Sequence, residues 1–309
     1  MISGLSAAND QFLASVNILE SNLSQADEQL SSGYRVNQAS DSPQSLQDIF
    51  VTRSALGQDN QTIQNLNSIQ GQVQSADSAV QSAVQLLNQA ISLGTEAASN
   101  TSSSTSQQTL ASQVQGIEAQ LVAISNTEVG GVYVFSGDAS GSPPYQVNTS
   151  SPTGVNRLVT PQQTTLEVQG PSGVTFQVSL TAQDLFDQRD SSDNPTANNA
   201  FAALNGLVQA LQGGNPSDIT QAVGVLQGAS NYVDSQATFY GTAENNITTS
   251  LNLAQMFQTQ DETQLSTLED ADATSLAVQV TQDSTAVDAA MSAEAHMPTT
   301  TLFDYLPVD

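Results

Sequence analysis

The side chains that could carry out acid–base or metal chemistry in this chain are nearly all carboxylates. The densest group is Glu269, Asp270 and Asp272, with Asp261 and Glu262 nearby. A calcium site or a glycosidase pair needs carboxylates that converge on one cavity. On a helix only Glu269 and Asp272 share a face, and the glycine spacing of a calcium-binding loop is missing. The pattern therefore predicts a solvated helical face and no metal site.

The single histidine, His296, stands just before Pro298, where a helix is predicted to end. An imidazole at a helix C-terminus is more often a favourable charge than a catalyst. A nucleophilic triad needs a histidine held by a third group, and the sequence contains no phosphate-binding glycine loop and no Cys/His metal spacing. We therefore predict no catalytic, cofactor-binding or metal-binding residues and no enzymatic activity.

The charge of the chain is strongly one-sided. Among 309 residues there are 30 acidic side chains and four arginines, with no lysine, which gives a net charge of −26 at pH 7. Phosphate backbones and anionic lipid surfaces would be repelled, so we expect neither nucleic acid nor membrane as a partner. Carboxylates lose their charge in acid, whereas Ser, Thr, Asn and Gln do not titrate. We therefore expect copies of the chain to associate more strongly in acid or at high salt.

Two absences bear on the compartment. Cysteine is missing, so packing must supply the stability that disulfides give to many secreted proteins. The N-terminal segment does not resemble a cleaved signal peptide, because its first basic residue is Arg35 and Asp10 interrupts the apolar positions. We expect a protein that stays inside the cell or is exported by a pathway that does not recognise a cleaved signal peptide.

The elements that would position any functional surface are mostly helices. Residues 5–31 repeat apolar side chains in the a/d rhythm of a coiled coil, and Gly33 is placed to end this helix in the left-handed conformation. A second helix is predicted over residues 43–98. A third follows, with Leu110, Val114, Ile117, Leu121 and Ile124 in the same rhythm.

The period then changes from about 3.5 residues to two. Short strands are predicted at Val132–Phe135, around Leu166 and Val168, and over Val174–Leu180, separated by Gly- and Pro-rich turns. The helical period returns at Phe201, and Gly213-Gly214 is predicted to end that helix. A long helix is predicted from Asn215-Pro216 and a further one over residues 265–297.

The predicted fold is mainly α: an elongated antiparallel coiled-coil bundle of the N- and C-terminal segments, plus a β-rich insert. We predict a terminal helical assembly region at residues 1–42 and 265–309 and a helical-bundle core at 43–136 and 197–264. The inserted domain is predicted at residues 137–196.

The apolar stripes along the two terminal helices, over residues 5–31 and 265–297, are the candidate functional surface. Without lysine, no Glu–Lys pairs can support isolated helices, so helices at the extreme ends of the chain would be marginal alone and would need partners. The predicted assembly interface consists of Leu5, Phe12, Val16, Leu19, Leu23, Leu30, Arg35, Leu276, Val280, Val287, Leu302, Phe303 and Leu306.

Several stretches of this sequence resemble the flagellin family. Leu30-Ser-Ser-Gly-Tyr-Arg-Val-Asn37 with Ala39-Ser-Asp-Ser-Pro43 is similar to the loop between the family's first two helices. Gly130-Gly-Val-Tyr-Val-Phe-Ser-Gly137 resembles the entry into its variable domain. Leu265-Ser-Thr-Leu-Glu-Asp-Ala-Asp272 and Leu302-Phe-Asp-Tyr-Leu306 resemble its C-terminal helix and tail.

This resemblance implies a secreted structural subunit of the bacterial flagellum, exported unfolded through the flagellar channel without a cleaved signal. The partners it implies are copies of the chain, a neighbouring flagellar hook-associated protein, flagellin and an export chaperone. The short insert and the Phe-Asp-Tyr-Leu tail favour a subunit that joins hook to filament, with a filament subunit as the alternative. A fibre of a phage or adhesin is the alternative of a different class, which would show one continuous helix and three-fold self-association.

Overall fold

The computed structural model describes residues 2–99, 103–159 and 165–296. Within these ranges the chain forms mainly helices, which confirms the predicted fold class. The helices are α1 (Ile2–Ser32), α2 (Leu46–Ala97), α3 (Ser104–Ser125), α4 (Ala182–Phe186), α5 (Ala200–Gly213), α6 (Pro216–Glu269) and α7 (Ala273–Ala295). The strands are β1 (Glu128–Val129), β2 (Val132–Tyr133), β3 (Tyr145–Val147), β4 (Val155–Arg157), β5 (Glu167–Gln169) and β6 (Thr175–Gln177).

Glycine ends two of the helices as the sequence predicts. Gly33 follows α1 with φ 76°, and its N–H donates to the carbonyl of Gln29 at 2.9 Å. Gly214 follows α5 with φ 72° and donates to the carbonyl of Ala210. Since a side chain is strained at such positive φ values, glycine is the residue that closes these helices at low cost.

The strands form three separate antiparallel hairpins, β1–β2, β3–β4 and β5–β6. In β5–β6, Val168 pairs with Phe176, as the alternation in the sequence indicates. The predicted strand at Val132–Phe135 is shorter, because β2 ends at Tyr133. The β3–β4 hairpin was missed because the sequence around it does not alternate over several residues, as it does over Val174–Leu180.

The chain divides into two compact units. One consists of residues 1–58 with 257–309, and the other of residues 59–256. Helices α2 and α6 supply residues to both units. The three-region division predicted from the sequence, with its boundaries at residues 42, 136, 196 and 264, remains a prediction.

The core of the unit formed by residues 59–256 combines helices with the insert. Helix α3 packs against α5 and against β3. Phe135 and Phe186 meet edge to face with ring centroids 6.0 Å apart, and Tyr145 lies 5.1 Å from Phe201. Because these rings come from the insert and from α4 and α5, the insert shares one core with the helices around it.

A close approach of three helices depends on Gly94 of α2. A Cβ placed there would lie 2.5 Å from Cγ2 of Val223 on α6, and 3.1 and 3.2 Å from the two terminal methyl groups of Leu207 on α5. The absence of a side chain therefore lets these helices come together.

The prediction of one helix over residues 265–297 is wrong in one respect, because two helices share this range. Leu265 and Leu268 belong to the end of α6, and α7 starts only at Ala273. Asp272 caps α7 by accepting from the N–H groups of Thr274 and Ser275. The break occurs because Asp270 pairs as an isolated bridge with Tyr34, which ends the helix through a contact that is distant in sequence.

Candidate assembly surface

The end of α1 and the start of α7 are joined through their backbones. The N–H of Ala271 donates to the carbonyl of Gly33 at 3.0 Å, and Tyr34 bridges to Asp270. Helix α1 also packs against α7. Because the last residues of one helix lie beside the first residues of the other, the two run antiparallel. The predicted pairing of the N- and C-terminal segments is thus present within one chain.

Most of the predicted interface residues on α1 and α7 are at least partly buried. Val16 and Leu276 are buried, while Phe12, Leu19, Leu23, Val280 and Val287 are partly buried. Leu30 is exposed. The side chain of Leu5, and Leu302, Phe303 and Leu306, lie outside the described residues. The chain itself therefore covers part of the predicted interface. That these side chains pack against neighbouring molecules remains a prediction.

Large apolar side chains nevertheless remain exposed in this unit. Phe50, which the sequence did not single out, is 65% exposed on α2. Fully burying an exposed side chain of this kind contributes roughly 1.5–3 kcal/mol, so each of these half-exposed ones would contribute about half of that. The exposed group comprises Leu13, Ile18, Leu30, Tyr34, Phe50, Val51, Val278 and Met291. A partner that covers these side chains would gain from their burial.

Arg35 binds the C-terminal end of α6. Its backbone N–H donates to the carbonyl of Glu269 and its Nη2 to the carbonyl of Leu268, both at 2.6 Å. Carbonyls at a helix C-terminus lack intrahelical partners and carry partial negative charge, so a guanidinium is well placed there. Asp41 holds the same loop by accepting from the N–H groups of Asn37 and Gln38. Arg35 therefore acts inside the chain, whatever else it contacts in an assembly.

Glu269 corrects the expectation of a solvated acidic face. Only 3% of it is exposed, and its Oε1 lies 2.7 Å from Nε of Arg53 on α2. The pKa of Arg53 is raised above its ordinary value, first by the hydrogen bond to Glu269, with burial acting in the opposite direction. The two arginines in residues 1–58 thus converge on the last turn of α6. Sequence reasoning missed this site because its partners lie more than 200 residues apart.

The two remaining arginines converge on a second buried carboxylate, Asp187. Arg189 Nε donates to both oxygens of Asp187, at 2.9 and 3.0 Å, while Nε of Arg157 lies 3.4 Å from Oδ2. The hydroxyl of Tyr145 donates to Asp187 at 2.9 Å, and the side-chain amide of Asn199 donates at 2.6 Å. Burial raises the pKa of Tyr145, so its hydroxyl stays a donor. This cluster ties β3 and β4 to the start of α5 and is structural in character.

The described parts of the chain hold no group of three or more His, Cys, Asp or Glu side chains suited to a metal ion. In the same ranges, no helix combines the length and apolar character that crossing a membrane requires.

Comparison with known proteins shows what the N-terminal helices are similar to. Residues 2–140 match the family model of the bacterial flagellin N-terminal helical region. No curated protein sequence matches the chain.

Solved structures with a similar fold come from flagellar proteins. One is a Vibrio parahaemolyticus protein assigned to the flagellar hook-associated proteins, with a TM-score of 0.61 and 16% identity, covering 74% of this chain and 99% of that one. The flagellar junction protein FlgL of Legionella pneumophila gives a TM-score of 0.54 at 12% identity, covering 65% of this chain and 99% of its own. A hook-associated protein 3 from the same organism gives a TM-score of 0.52 at 15% identity, covering 69% of this chain and 98% of its own.

These findings confirm the resemblance drawn from the sequence. The matched segment spans α1, α2 and α3, and the fold similarity extends over about two thirds to three quarters of the chain. The N-terminal helices are thus similar to those of flagellin, and the fold of the chain is similar to that of flagellar hook-associated proteins.

Proposed function

We propose that this flagellin-like chain is a structural subunit of the bacterial flagellum that joins hook to filament through its terminal helices. The observation that carries the proposal is the flagellin N-terminal match over residues 2–140, which includes the whole of α1 and α2. The similar structures are hook-associated and junction proteins, which favours a junction subunit over a filament subunit.

The geometry supports a packing role for the unit formed by residues 1–58 and 257–309. Its α1–α7 pair, joined at one end by the hydrogen bond from Ala271 to Gly33, presents apolar side chains to solvent instead of enclosing all of them. Covering Ile18, Phe50 and Val278 against neighbouring subunits would supply free energy that a lone chain does not recover. The partners are further copies of the chain, an adjoining hook-associated protein and flagellin.

The pairing of α1 with α7 also bears on the fibre alternative. A trimeric phage or adhesin fibre would place a continuous helix against equivalent helices of other chains. Here the terminal helices of one chain pair with each other, which favours the flagellar proposal. Export through the flagellar channel, with the help of a chaperone, follows as part of the same proposal.

Immunogold labelling of flagella purified from the bacterium that carries this gene tests the proposal. An antibody to residues 137–190 should label one narrow band at the boundary between hook and filament. Labelling along the whole filament would instead establish the filament subunit. Absence of label from hook and filament alike, in a strain shown to express the chain, would overturn both flagellar functions.

A matched pair of variants tests the apolar surface. Ile18 and Val174 are 61% and 64% exposed, but Ile18 lies on α1 and Val174 lies next to β6 in the other unit. We expect Ile18→Ser to weaken self-association by roughly tenfold in sedimentation velocity, and Val174→Ser to leave it unchanged. Equal behaviour of the two variants would exclude α1 as the packing surface.

A further inference from the structure

A further buried carboxylate, Glu118, differs from Glu269 and Asp187 because no arginine pairs with it. It lies on α3 and is 2% exposed, and its Oε1 has no hydrogen-bond partner within the described residues. The oxygen points at Gly154, in the turn between β3 and β4, so closely that a Cβ on Gly154 would overlap it. Gly154 also has φ 74°, so glycine is required there on two counts.

The turn that covers Glu118 is hydrogen-bonded to α5 and within itself. Asn205 of α5 donates through its side-chain amide to the carbonyls of Pro152 at 2.9 Å and Ser151 at 3.4 Å. Within the turn, the N–H of Asn148 donates to the carbonyl of Gly154 at 2.8 Å. The turn is therefore pinned to α5 on one side and rests directly on the Glu118 carboxyl on the other.

No charge on the packed elements compensates an ionised Glu118. Helix α5 and residues 148–154 contain no charged residue, and α3 carries no other. The charged or titratable groups on β3 and β4 are Tyr145 and Arg157, and both are engaged at Asp187. Burial alone raises the pKa of Glu118 to about 7. Ionisation therefore places an uncompensated charge beneath the turn.

We propose that protonation of Glu118 governs whether the β3–β4 turn stays packed on α3. When the carboxyl is neutral, the packed turn excludes water from it at moderate cost. When the carboxyl releases its proton to solvent, the carboxylate needs water that the packed turn denies it, and the turn opens. The proposal is independent of the flagellar function, since its residues belong to the unit formed by residues 59–256, which does not include α1 or α7.

The direction of the pH effect follows from linkage. The packed state binds the proton more tightly than the opened state, where the carboxyl has its ordinary pKa of 4.5. Packing is therefore fully favoured below that value, weakens as pH rises towards 7, and changes little beyond it. Between pH 5 and pH 8, the equilibrium constant for packing should fall by roughly seventyfold.

Amide hydrogen exchange on the full chain tests the proposal. The N–H groups of Asn148 and Leu158 donate to carbonyls of the same hairpin, at 2.8 Å each, and report its opening. After correction for the chemical exchange rate, their protection should fall roughly seventyfold from pH 5 to pH 8. The N–H of Gly170, bonded to Val174 in the β5–β6 hairpin, should stay constant and serves as the internal reference.

Two variants and one titration make the outcome decisive. Glu118→Gln should keep high protection at both pH values, while Glu128→Gln, a change at an exposed glutamate, should behave like the unaltered chain. A pH-dependent loss that survives in Glu118→Gln, or protection that does not change in the unaltered chain, would overturn the proposal. If Glu118→Gln does not fold, the carboxyl carbon of Glu118 can be titrated by NMR in the unaltered chain. A midpoint near 7 supports the proposal, and one near 4.5 refutes it.

Discussion

The contact between Arg53 and Glu269 provides a quantitative test of how the end of α6 is held. Replacing Arg53 with Met removes the cation but retains an apolar stem of similar length. Glu269, of which 3% is exposed, then keeps its charge without the partner that lies 2.7 Å away. Removing one partner of a fully buried ion pair typically costs about 3–5 kcal/mol.

The expected cost here is smaller, because the Arg53 side chain is 55% exposed and water reaches the pair. Exposed ion pairs contribute about 0–1 kcal/mol, so this mixed pair should lie between the two cases, at about 1–2 kcal/mol. The double variant Arg53→Met with Glu269→Gln should recover part of this loss, because it leaves no uncompensated charge.

Hydrogen exchange at Arg35 and Ala271 measures this cost locally. The N–H of Arg35 donates to the carbonyl of Glu269, and that of Ala271 to the carbonyl of Gly33, so both open when the end of α6 separates from the loop. Protection should fall about five- to thirtyfold in Arg53→Met and less in the double variant. Unchanged protection in Arg53→Met, or a larger loss in the double variant, would refute the view that the buried carboxylate depends on this cation.

Three further predictions follow from packing and charge. Gly94→Ala should destabilise the chain by about 1–3 kcal/mol because the added Cβ meets Val223 and Leu207. Gly116→Ala, which has open space around it, should be neutral or stabilising. Thermal unfolding followed by circular dichroism compares the two variants. Asp187→Ala should cost about 3–5 kcal/mol, since it leaves two largely buried arginines without their shared carboxylate, and urea unfolding measures the loss. Light scattering should show stronger self-association as pH falls from 7 to 4 or as salt rises, because the net charge of −26 then diminishes or is screened; weaker association under both conditions would contradict this reasoning.

Local patterns predicted much of the fold. The a/d rhythm over residues 5–31 indicated α1, Gly33 and Gly214 marked helix ends, and alternation indicated β5 and β6. Each of these signals arises within a few turns or a few strand residues, where side-chain period and backbone conformation are directly coupled. The assignment as a flagellin-like, mainly helical subunit rested on the same local stretches.

The carboxylates show the limit of such patterns. Glu269, predicted to be solvated, and Glu118 and Asp187, which the sequence did not distinguish from other acids, are all buried. A carboxylate next to apolar residues looks the same in sequence whether its helix faces solvent or another element. Its environment depends on residues elsewhere in the chain, such as Arg53 for Glu269 and Gly154 for Glu118.

By itself, the amino-acid sequence determined the helices near both ends of the described chain, the presence of short strands between the helices, the strongly acidic charge and the likeness to flagellin. Only the tertiary structure decided that α6 ends at Glu269, with α7 as a separate helix, and that Glu118, Asp187 and Glu269 are buried. The physical reason is that helix period and glycine stops are properties of neighbouring residues. The end of α6, in contrast, depends on Tyr34 and Arg35, which come within hydrogen-bond distance only after the chain has folded.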